Sequence, residues 1–209
     1  MTCFLSPRPG SSDPERITFG RAPDKPRHLL EWRSRPSDPR GERMSLFDRK
    51  ITVDVTEEDD CLRMRGKLED TRSGVPLHLI EVEMLMTVWD GQIKEISGRM
   101  PNHPLEECVE ALGSLEGLLG ERIVPGFSEV VKNRVGRATG CTHMASLIMN
   151  MGNVSVQGRG AFLRTHMTGA QESEAMKAYA DDLNLLDSCV CWREDGPLIR
   201  RWRNSQGQP

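Results

Sequence analysis

Between residues 50 and 100 the apolar side chains recur at every second position. In "KITVDVTE", Ile51, Val53 and Val55 fall on one side and Thr52 and Asp54 on the other. A period of two builds a strand with one buried face; a helix would scatter these residues around its circumference. "CLRMRGKLED" repeats the pattern, with Leu62, Met64, Gly66 and Leu68 on one face, and the acidic "EEDD" between the two runs reads as a hairpin turn. After the break at "TRSG", Ile80, Val82, Met84, Met86 and Val88 share a face. His78 has the same parity, so its imidazole is expected on the core side. Asp90-Gly91 is a strong hairpin signal. In the return strand "QIKEISGRM", Ile93 and Ile96 are three apart, the spacing of a bulge or a three-residue loop. Four strands over about 50–100 then form an antiparallel sheet with one face covered.

Beyond "PNHP" the period changes. Leu105, Cys108, Leu112, Leu115 and Leu119 step by three and four, a helix face that carries Cys108. Pro104 suits its first turn and Gly120 its stop. "VPGFSEVVKNRVG" predicts a second, shorter helix ending at Gly136. "TGCTHMASLIMNMGNVSVQGRGAFL" predicts a third, capped by Thr139, with glycines that end or kink it near 152. "GAQESEAMKAYADDLNLL" predicts a fourth, and "SCVCWREDGPLIRRW" a small hairpin around Asp195-Gly196. Strands followed by three to four helices make the fold class α+β.

The first 43 residues are different in kind. They hold seven of the thirteen prolines, with nine Lys/Arg against six Asp/Glu, and show no apolar period. Residues 1–43 read as a disordered Pro/Arg-rich arm, or as sequence upstream of a start at Met44. A single domain over 44–204 and a short tail, 205–209, follow. The whole chain carries a net charge of −3, which argues against general nucleic-acid binding. No apolar run approaches the ~18 residues of a membrane span, and no signal-peptide pattern opens the chain. A cytoplasmic, bacterial-style protein is the expectation, with a protein partner left open. In that compartment the six cysteines are expected free, metal-bound or catalytic.

The stretch "GRATGCTHMASLIMNMG" places Cys141 and His143 where a loop becomes a helix. The positive end of a helix favours an anion, and a thiolate is both nucleophile and metal ligand. Residues two apart on a helix point in nearly opposite directions, so both reach one ion only if Cys141 still lies in the turn. Cys108 on its leucine stripe and His78 on its strand suit core packing equally well. His103 lies in a Pro-flanked turn. Cys189 and Cys191 form a C-x-C pair that suits chelation or packing beside Trp192. The eleven methionines fall at core periods and read as filling. No phosphate loop, serine elbow or H-E-x-x-H motif is present in a supporting context.

The landmarks "FDRKITV", "EDT", "LHLIEVEMLMTV", "LLGERIVPGF", "GCTHMASLI" and "LLDSCVCWREDGPLIRRW" resemble the bacterial domain of unknown function 2889 over about residues 47–202. That family's tail has a histidine after the cysteine where this chain has Val190. From His78 to about 151, the order of features is also similar to iron–sulphur cluster scaffold proteins of the IscU/NifU type, with His in place of the first Cys. That resemblance implies a metal set of His78, Cys108, Cys141 and His143, holding zinc, iron or an iron–sulphur cluster. The expected function is therefore a metal-binding accessory protein. Two alternatives are a metal- or thiol-dependent enzyme using Cys141 and His143, of hydrolase or lyase type, and a metal-free interaction subunit with core cysteines.

Overall fold

The computed structural model describes residues 45–205. The arm expected over 1–43 lies outside the described residues. Strands β1 (Phe47–Glu58), β2 (Cys61–Arg72), β3 (Val75–Thr87) and β4 (Ile93–Asn102) form one antiparallel sheet in the order β1-β2-β3-β4. The three turns are those the sequence marks. Asp59 (φ 54°), the Ser73-Gly74 pair (φ 50° and 79°) and Gly91 (φ 67°) take the left-handed conformations that tight turns demand. The bulge expected in β4 falls where the register slips between Leu85 and Met86 of β3, opposite Glu95 and Ile93.

The alternation sets the two faces. Leu62, Met64, Leu68, Ile80, Val82, Met84 and Met86 are buried, and the longest helix among the described residues packs on this sheet. The opposite face carries charge: Arg63 bridges Glu58, Glu83 and Glu95, and Arg65 pairs with Glu83. A sheet covered on one side only is why the period of two is so clean.

A 3-10 helix, Glu106–Leu118, then lies against β4. Here the structure corrects the expected α-helical stripe. Ala111, Leu115 and Leu118 are buried, whereas Leu105 and Leu119 are 64% and 49% exposed. Those two are extended residues at the ends of the helix, whereas the stripe positions inside it, Cys108, Leu112 and Leu115, are buried or pack against the core; what differs from expectation is the tighter turn of three residues instead of 3.6. Cys108 is half-buried at the edge of the core.

Helix α1 (Phe127–Arg134) is the short second helix expected before Gly136, and α3 (Gly169–Asp182) is the expected fourth. Between them α2 runs unbroken from Thr142 to His166. Its glycines do not end it. A Cβ on Gly158 would lie 2.9 Å from Val55 Cγ1, and one on Gly152 would lie 3.1 Å from the Phe127 ring, so they let β1 and α1 approach closely. Arg159, 1% exposed, fixes α2 to the β3–β4 turn: Nε donates to the Val88 carbonyl at 2.6 Å and Nη2 to that of Trp89 at 2.5 Å.

The tail departs from expectation. Residues 184–196 form turns with no paired strand, and α4 (Pro197–Ser205) follows. Asp195-Gly196 does turn the chain, but Pro197 then starts a helix, which is where proline is best tolerated. Among the described residues no helix is long and apolar enough to cross a membrane.

Candidate metal centre

Three adjacent strands place three polar side chains in one row on the covered face. Register pairs Arg49 of β1 with Asp70 of β2, and Asp70 with His78 of β3. Asp70 has the parity of Leu68 and Met64, so the alternation that builds the core also buries a carboxylate, 1% exposed. An unpaired charge there would be costly, and Asp70 is paired twice. Arg49 donates from Nε to Oδ1 and from Nη2 to Oδ2, both at 2.7 Å. His78 Nδ1 lies 2.9 Å from Oδ2. The Arg49 fork holds the Asp70 carboxyl below the usual carboxylate range; burial opposes this and the His78 bond supports it. Ionised Asp70 only accepts, so His78 donates from Nδ1.

The start of α2 arrives over this row. Cys141 is not inside the helix under a Thr139 cap: Arg137–Thr139 is a 3-10 turn, and Cys141 itself is the residue before Thr142, with extended φ −132° and ψ 125°. It is thus in the non-helical turn, the condition under which it and His143 can face the same point. A tight fold-back holds it there. Its N–H donates to the Val135 carbonyl at 2.8 Å, and a Cβ on Gly140 would stand 1.8 Å from that same oxygen, so only glycine fits.

The side chains meet. Cys141 Sγ is 3.6 Å from His143 Nδ1, and the His78 and His143 rings lie with centroids 4.1 Å apart, tilted by 33°. One donor atom each from Asp70, His78 and His143 falls within 4.8 Å of the others. Burial pushes His143 below its ordinary pKa, helped by His78 and Arg49 and partly offset by Asp70. At neutral pH His143 is therefore an uncharged imidazole, the form that ligates a metal or takes a proton.

Of the four ligands expected from sequence, His78 and His143 fall in the close group with Asp70, Cys141 joins it only through its contact with His143, and Cys108 is in neither. Asp70 and Arg49 were missed as site residues. Parity was the available signal: both continue the core face of their strands, where a charged residue needs a buried partner. The other candidates lie elsewhere. His103 Nδ1 is 2.9 Å from the Leu105 carbonyl, His166 pairs with Glu57, and Cys189 and Cys191 are exposed.

The family described as "Protein of unknown function (DUF2889)" matches residues 47–157. The chain belongs to that family. The matched segment contains the whole row and the start of α2; the tail motif with Cys189, Val190 and Cys191 lies beyond it. No curated protein and no solved structure matches the chain, and the likeness to cluster scaffolds rests on the order of sequence features alone.

Proposed function

We propose that this domain binds a single zinc or iron ion through Cys141, His143 and His78, and that it serves in metal handling. One distance carries the reading. A tetrahedral ion with bonds of about 2.3 Å to sulphur and about 2.0–2.1 Å to nitrogen holds the two donors about 3.6 Å apart. The Cys141–His143 separation is 3.6 Å. Asp70 stands behind His78 as the carboxylate that fixes a ligating ring, an arrangement metal sites use routinely. Both its oxygens are already engaged, so three protein donors leave one coordination position open.

One thiol in the group favours a mononuclear ion over an iron–sulphur cluster, which is ordinarily held by several thiolates. The open position fits an ion that is passed on, and equally an ion that activates water. The same 3.6 Å contact favours a second reading without metal, in which Cys141 is a nucleophile and neutral His143 its base.

Zinc titration of metal-depleted full-length protein by calorimetry separates these readings. The metal reading expects one site per chain, weakened at least a hundredfold in His143→Ala. No zinc binding, together with alkylation of Cys141 much faster than that of Cys108, would replace it with the thiol reading.

A further inference from the structure

At the far end of α2, Arg164 lies 21 residues beyond His143, about 30 Å away at 1.5 Å per residue. There α3, α4 and the turns between them enclose a cleft of about 440 Å³. That is within the range of cavities that hold small organic ligands. Buried Ile199 lines it, with Met176 and Trp192. Leu186, Leu198 and Trp202 border it while 50%, 38% and 37% exposed. Large apolar side chains gathered at one concavity and left open to water mark a binding surface more than a folding core.

The charges around the cleft indicate what it selects. Arg164, Lys177 and Arg203 face Glu172 and Asp181, and Arg203 is drawn to Glu194 at 3.7 Å. The Lys177 ammonium sits 5.7 Å over the Trp202 ring. The remaining two cations balance the two acids, so no net field favours a charged ligand. Trp192 and Trp202 both line the cleft, and indole rings prefer stacked or edge-on aromatic partners. We propose that this cleft is a second binding site, independent of the metal centre, for an uncharged, flat aromatic molecule.

The test uses the full chain and two probes, neutral N-phenyl-1-naphthylamine and its sulphonated relative 1-anilinonaphthalene-8-sulphonate. The neutral probe is expected to saturate at one site, with emission excited through tryptophan, and the sulphonate to bind no more tightly. Trp202→Ala is expected to weaken the neutral probe at least tenfold. Leu198→Arg, which places a charge at the mouth on an already exposed position, should abolish saturation while circular dichroism stays native. Non-saturating binding, or affinity unchanged in Leu198→Arg, would overturn the site. Sulphonate binding tenfold tighter than the neutral probe would overturn the ligand class.

Discussion

Asp70 holds His78 by a 2.9 Å bond from the ring's Nδ1, and is itself gripped by the Arg49 fork. The link runs across three neighbouring strands and depends on their register. Its consequence is that one nitrogen of His78 is committed to the sheet, while the ring lies against that of His143 at the start of α2.

Asp70→Asn tests that link. The substitution keeps the shape but removes the charge that Arg49 and His78 address. Stability is expected to fall by about 2 kcal/mol, the lower part of the range for hydrogen bonds to charged groups, because Arg49 is a third exposed. Zinc affinity should fall 10- to 100-fold, the usual effect of losing such a carboxylate. Urea unfolding should show a lower midpoint with an unchanged slope. Lost stability with unchanged zinc affinity would mean that Asp70 serves the sheet alone.

Gly140→Ala tests whether the fold-back before α2 positions the thiol. The added carbon has no room against the Val135 carbonyl, and the neighbour is backbone, which cannot rotate away. A loss of about 2–3 kcal/mol is expected from overpacking, with Cys141 displaced and zinc binding weakened. Gly120→Ala is the comparison: nothing lies within 4 Å of its Cβ, but its φ is 81°. Its cost should be purely one of backbone strain, with zinc binding untouched.

Tyr179 provides a pH readout away from the centre. It is the single tyrosine of the chain, so phenolate absorbance reports it alone. Burial pushes its hydroxyl up to about 12, and the hydroxyl donates to the Val156 carbonyl. A folded-state pKa above the unfolded value of about 10 means the folded protein holds the proton longer. The resulting stabilisation is fully present below about pH 10 and is lost as pH rises toward 12. Native protein should titrate near 12 and urea-unfolded protein near 10; a native midpoint near 10 would place the ring in water.

Much of this molecule is legible in the sequence because one face of the sheet is covered. That makes the residues from Ile51 to Val88 alternate, and the same parity puts His78 on the core side. The 3-10 turn over Glu106–Leu118 is not legible, because Cys108, Leu112 and Leu115 fit an α-helical face as well, and Leu105 and Leu119, which continue that period, are extended residues at its ends. The tail was misread because an Asp-Gly turn signal precedes either a strand or a helix, and Pro197 decided for the helix. At the site, Cys141 and His143 were readable from local position. Asp70 and Arg49 were not, because their pairing depends on which residues face each other across strands. Cys108 was assigned by an ordering of features that says nothing about which way a 3-10 turn points it.

The most direct measurement is the absorption spectrum of the metal-depleted full chain titrated with cobalt(II). The account predicts a thiolate-to-cobalt charge-transfer band that saturates at one ion per chain, vanishes in Cys141→Ser and persists in Cys108→Ser. A band that survives Cys141→Ser, or that disappears in Cys108→Ser, would contradict the assignment. The absence of any band in the folded wild-type protein would contradict the metal centre itself.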